Sequence, residues 1–138
     1  MGITDHLSDE CIEYLKASKS LAAKLGSSYL EAHHVFWFLL QQEPIRSSLI
    51  TQWSVRSSDL EVPPEFQIAE SNQQPVGSMT VAPSLAEAAE WSRRRKNETG
   101  RPVGPAEFCA GLLLQNSVRQ TLPADRYDRL RNCLCPVA

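Results

Sequence analysis

Over residues 7–25 the apolar positions Leu7, Cys11, Tyr14, Leu15, Leu21, Ala22 and Leu25 recur at steps of three and four, laying one stripe along a single helix. Ser8 is placed to cap its start, Asp9 and Glu10 fall where acidic groups suit the helix dipole, and Gly26 supplies a left-handed stop. After the link Ser27-Ser28-Tyr29, residues 31–42 are apolar almost all round between Val35 and Leu40, the pattern of a buried helix, and Pro44 ends it. Ile45, Leu49, Ile50 and Trp53 then mark one side of a shorter third helix over 45–53.

The texture changes after Val55. Pro63-Pro64, Ser71-Asn72-Gln73-Gln74-Pro75 and Gly77-Ser78 interrupt any helix and offer little to bury, which predicts a linker over 56–80 with at most one short helix near 58–61. The linker separates a first half at 7–55 from a second at 81–134. In the second half Pro83 suits a first helical turn, while Ser84 and Glu87 have capping-box spacing; the two signals place the cap one or two residues apart. That helix runs to about Asn97 with Gly100 beyond it, and it is followed by an apolar helix at 105–114, a short piece at 118–122 and a last helix at 125–134.

Laid together, the halves match. Leu7 falls on Val81, Glu13 on Glu87 and Gly26 on Gly100 at one constant offset; one residue is then lost, so that Leu30-Glu31-Ala32 meets Val103-Gly104-Pro105 and Leu39-Leu40 meets Leu112-Leu113. The pattern predicts an all-α fold of two tandem helical repeats closing one core across an approximate two-fold, without strand pairing. Leu15, Val35, Phe38, Leu39, Leu112 and Leu113 are its expected shared core.

Composition narrows the partners. A chain of 138 residues with 42% apolar residues builds one domain without a covalent staple, and a net charge of -2 provides no basic field for nucleic acid or an anionic membrane. No run approaches the roughly 18 apolar residues of a membrane span, and residues 1–6 lack the parts of a signal peptide, so a cytoplasmic location is expected. Cys11, Cys109, Cys133 and Cys135 form no CxxC pair and read as small apolar residues.

The stretch Gly26-Ser27-Ser28-Tyr29-Leu30-Glu31-Ala32-His33-His34, ahead of the apolar helix and echoed in the second half, resembles the repeat of the amino-terminal domain of Clp-family AAA+ unfoldases, in which Gly-His-Asn-Tyr-Ile-Gly-Thr-Glu-His precedes a leucine-rich helix. The resemblance covers nearly the whole chain except the linker. Within the family, Tyr29-Leu30-Glu31 with His34, Leu39-Leu40-Gln41-Gln42 and Ser117-Val118-Arg119 look like the ClpV branch, which recycles type VI secretion sheaths. Two departures stand out. His33 and Ala106 occupy the glutamate position of the signature, which disfavours phosphorylated arginine as a ligand, and the proline-rich linker puts the fourth helix of the first repeat in doubt.

The chemistry sought elsewhere is thin. No GxxxxGK[ST] loop or GxSxG elbow occurs, so neither ATP nor a nucleophilic serine is provided for. Adjacent residues on a helix point about 100 degrees apart, so His33-His34, with only His6 elsewhere, reads as capping or core hydrogen bonding instead of a metal site or a base. Cys109 reads as a packed thiol, Arg93-Arg94-Arg95-Lys96 as a solvated helix end and Trp37 as core, whereas Trp91, on an alanine-rich face, is placed to anchor a partner at the domain edge.

The resemblance implies a non-catalytic docking domain without cofactor or metal. It would hand a substrate or adaptor segment, helical or unstructured, to an AAA+ motor in cis or in trans, a sheath protein if the ClpV likeness holds. Contact is expected beside the first helix and at the start of a repeat's second helix, with Glu31, His33 and Glu107 as polar edges and Trp91 as anchor. The alternative is a free-standing adaptor or accessory subunit of a Clp protease complex. A third reading, a small enzyme or metal protein using His33, His34 and the cysteines, lacks the ligand spacing it would need.

Overall fold

The Ser8 hydroxyl accepts the Cys11 N–H at 3.2 Å and starts helix α1 (Asp9–Ala17) where the sequence places the cap. The single helix expected over 7–25 is interrupted. Ser18, fully buried, donates its hydroxyl to the Leu15 carbonyl at 2.6 Å, and a new helix, α2 (Lys19–Lys24), begins after it. A buried serine that bonds back onto the preceding turn competes with the helical ladder, which periodicity alone does not register.

The computed structural model describes residues 6–67 and 80–134. It is mostly helical, 69% helix against 5% strand, so the all-α expectation holds. After α2 come α3 (Ala32–Leu39), α4 (Glu43–Gln52), α5 (Pro83–Thr99), α6 (Pro105–Leu113), α7 (Asn116–Arg119) and α8 (Ala124–Leu134). Pro44, expected to end a helix, sits in the first turn of α4, where its missing N–H costs nothing. At α5 the cap is Ala82 with Pro83 first in the helix; Ser84 does not close a capping box and instead accepts the Ala32 N–H at 3.1 Å, bonding the start of α5 to the start of α3.

The expectation of no strand pairing is overturned. Tyr29–Leu30 (β1) and Thr80–Val81 (β2) pair in parallel, Tyr29 opposite Thr80 and Leu30 opposite Val81, and Leu7 forms a parallel bridge with Val103. The Ser8 N–H donates to the Val103 carbonyl at 2.9 Å, and the Ala82 N–H to the Leu30 carbonyl at 3.0 Å. These segments precede helices in both halves, and their backbone groups would be left without partners if the other half did not supply them. Gly26 and Gly100 both adopt left-handed backbone, φ 73° and 74°, directly after a long helical stretch, which a side chain would strain.

The core centres on α3 against α6. All six residues expected in it, Leu15, Val35, Phe38, Leu39, Leu112 and Leu113, are buried. The linker contributes more than its composition promised. Ser57–Leu60 and Pro64–Phe66 are 3-10 turns, two where at most one short helix was expected, and they bury Asp59, Leu60 and Phe66. Gln41 donates to the Phe66 carbonyl at 2.8 Å, Lys24 reaches the Gln67 carbonyl, and Arg46 contacts the Leu40 and Leu60 carbonyls at 3.4 Å. The polar run 71–75 and Gly77-Ser78 lie outside the described residues.

One ion pair pins this segment to α8. Arg129 donates from Nε to both Asp59 oxygens, at 3.1 and 3.2 Å, and from Nη2 to Oδ1 at 3.0 Å, while Arg126 donates to the Glu61 carbonyl at 3.0 Å. Asp59 is buried, so removing its cation strands a carboxylate away from water, which costs more than the pair itself contributes. Arg129→Ala is expected to lower the thermal unfolding midpoint clearly, whereas Arg131→Ala on the exposed side of α8 leaves it near wild type. Equal midpoints for the two variants would show that the Asp59 contact does not hold the segment.

Candidate functional site

Two places bring sequence-predicted site residues together. The first is the start of α3. Glu31 occupies the cap position in extended backbone, and the His34 Nδ1 accepts the Glu31 N–H at 3.0 Å. His33 and His34 have ring centroids 4.1 Å apart, and His33 stands edge-on to Phe66 at 6.0 Å. The expectation that the adjacent rings diverge therefore fails, because His34 folds back over the helix start to serve as the cap acceptor.

One ligand atom each from Glu31, His33 and His34 lies within 4.8 Å of the others, a spacing that invites a metal. The hydrogen bonding argues otherwise. To accept the Glu31 N–H, His34 must keep a lone pair on Nδ1, and the neutral ring then carries its proton on Nε2, leaving no lone pair for an ion unless the cap breaks. Glu31 and His33 alone make an incomplete donor set. The His33 Nδ1 is buried without a hydrogen-bond partner among the described residues.

Burial sets the ionisation here. His34 is held down to about 4, chiefly by burial and further by His33, and burial lowers His33 while Glu31 opposes it. Because the folded value of His34 lies below the unfolded one of 6.5, its neutral ring stabilises the fold fully above about pH 6.5, and that contribution is lost as pH falls towards 4. Urea titrations are expected to show His34→Ala weaker than wild type at pH 7.5, with the gap closing by pH 4; a gap independent of pH would exclude the neutral cap.

The second place is a cleft of about 560 Å³ on α5, α6 and the ends of α4 and α8. Trp91 and Glu107 line it; Glu31 and His33 do not. Its apolar wall is Trp53, Trp91, Leu114 and Leu134, and Leu114 is 42% exposed. Trp91 is fitted to its place: a Cβ on Gly111 would stand 2.6 Å from the indole Cε3, so the ring lies directly on glycine backbone of α6. The Arg95 Nε donates to Glu107 at 2.9 Å, and its Nη1 lies 3.6 Å from Glu98. Beyond this crossbar a second cleft of about 460 Å³ shares Trp53, Arg95 and Glu107 and continues to Glu10, Pro44 and Arg101.

The basic run divides its work as consecutive helical residues must. Arg93 pairs with Glu90 and Arg95 with Glu98 and Glu107, while the Arg94 side chain makes no hydrogen bond or ion pair with a described residue. Sequence reasoning missed Trp53, Arg95 and Leu114 as parts of one surface. Their helical periodicity was visible, but only the packing of α4 and α8 beside α5 and α6 brings them together.

The two buried cysteines, Cys11 and Cys109, are held as protonated thiols. Burial pushes the Cys11 thiol up to about 12, with Glu10 adding to it, and raises the fully buried Cys109, whose Sγ donates to the Pro105 carbonyl at 3.4 Å. Cys133, partly buried, contacts the Ser54 carbonyl at 3.7 Å, and Cys135 lies outside the described residues. Among the described residues no helix is long and apolar enough to cross a membrane. No family model, curated protein or solved structure matches the chain.

Proposed function

We propose that this chain is a non-catalytic docking domain built as a tandem Clp-type repeat, which binds a helical or unstructured protein segment and presents it to an AAA+ motor in cis or in trans. The repeat is supported by reciprocity: Ser8, directly before α1, donates to Val103, two residues before α6, and Ala82, directly before α5, donates to Leu30, two residues before α3, at positions that match between halves. Three further pairs agree with it: the two left-handed glycines, Gln42 and Gln115 as cap residues of α4 and α7, and their side chains, each donating at 3.3 Å to the carbonyl four residues earlier.

The observation that carries the docking function is the open cleft in which Trp91 is fixed by Gly111 beside the exposed Leu114. A rigid aromatic ring next to uncovered aliphatic surface is the usual make-up of an interface anchor. Glu107 edges this cleft, and Glu31 with His33 would edge a separate contact at α3. On the family resemblance, a sheath-protein helix is the occupant if the chain belongs with the ClpV branch.

One docked helix buries less than a standard interface, so affinity near micromolar is expected, about -8 kcal/mol. The purified protein should leave ATP intact and, on titration with candidate sheath or substrate peptides, show backbone NMR shifts at Trp91, Ala110 and Leu114. Shifts confined to residues 93–96 and abolished by salt would mean a non-specific electrostatic surface, and the docking reading would be given up.

A further inference from the structure

We propose that the Trp91 cleft selects an acidic amphipathic segment, seating an apolar side chain against Trp91, Leu114 and Leu134 while a carboxylate of the same segment meets Arg94. This rests on the docking reading above and adds the chemistry of the occupant. The lining of the cleft is formally balanced, with Arg94 and Arg95 against Glu98 and Glu107. Its pairing is not. A single guanidinium, Arg95, holds both carboxylates, at 2.9 Å to Glu107 and 3.6 Å to Glu98. Arg94, its neighbour in sequence and exposed on the same rim, forms no ion pair with a described residue; its charge acts on the nearby Glu90, whose carboxylate is hydrogen-bonded by Arg93.

An apolar side chain entering the cleft drives water from this rim, and a guanidinium losing water without gaining a partner opposes binding. A carboxylate on the incoming segment removes that cost. A lysine there would face Arg94 directly and could reach only glutamates already shared with Arg95, so the rim disfavours it by repulsion.

The test uses three labelled amphipathic peptides of about 14 residues, long enough to take up helix on a surface. Each has the same leucine stripe, flanked by glutamate, glutamine or lysine. By fluorescence anisotropy the glutamate peptide is expected to bind about 1.4-fold to fivefold more tightly than the glutamine peptide, the span of a solvent-accessible ion pair, with lysine weakest. Arg94→Glu should invert the order, and high salt should compress it. Leu114→Asp, at an exposed position where folding is spared, should weaken all three. If the three peptides bind wild type equally while shifting the Trp91 and Leu114 amides, docking stands and the selection by Arg94 is refuted. If none shifts those amides, the docking reading falls, and this inference with it.

Discussion

Trp37→Ala is expected to destabilise the protein by about 3–5 kcal/mol, the range for deleting a large aromatic ring from a core. The indole is fully buried, meets Phe36 edge-on at 5.2 Å and stacks on Phe66 at 5.7 Å and 10°. Its Nε1–H donates to the Thr121 hydroxyl at 2.9 Å, so one side chain ties α3 to the linker and to the segment after α7. Trp37→Phe keeps most of the apolar area but loses that bond and some volume, and it should fall between wild type and alanine. Urea unfolding followed by circular dichroism measures both. A loss below about 1 kcal/mol for the alanine variant would mean that the ring does not bridge the three elements.

Leu39→Ala comes next, at roughly 2–5 kcal/mol. Leu39 is fully buried on α3 where that helix packs on α6. The cost combines lost transfer energy with an unfilled cavity, since helices held by backbone pairing at one end and by the linker at the other have little freedom to close on the gap. Leu39→Met conserves volume and should cost less than about 1.5 kcal/mol. A change under half a kcal/mol for alanine, the size typical of surface substitutions, would place Leu39 outside the core.

Much of this architecture is legible in the chain because local signals agree. Ser8 caps a helix whose first turn is acidic, Gly26 and Gly100 stop helices where only positive φ fits, and the all-apolar stretches around Val35 and Leu112 become the two central helices. What escaped depends on distant partners. The two-residue strands are too short for any alternation to announce, and they exist because Leu30 and Val103 present free backbone to Val81 and Leu7. The break at Ser18 follows from the burial of one hydroxyl. The linker's proline-rich text hid Asp59, whose burial makes sense only once Arg129 is seen across from it.

Of the site, the sequence supplied Trp91 and Glu107 but not their setting. The alanine-rich face of α5 singled out the indole; nothing in the pattern said that Gly111 is the surface it lies on, or that Trp53 would stand in the same wall. The histidine pair was read as capping, and His34 does cap, yet the closeness of the two rings was missed because it arises from that same backward fold.

The bridge between Leu7 and Val103 bears on how the protein comes into being. During synthesis the chain emerges from its amino terminus, and the segment before α1 finds its partner only after a further stretch of about a hundred residues has been made, a long loop to close. The first half must therefore wait at the ribosome with Leu7 and Leu30 unpaired and its share of the α3–α6 contact uncovered. For that interval the nascent chain exposes apolar surface that the finished fold buries between its two central helices.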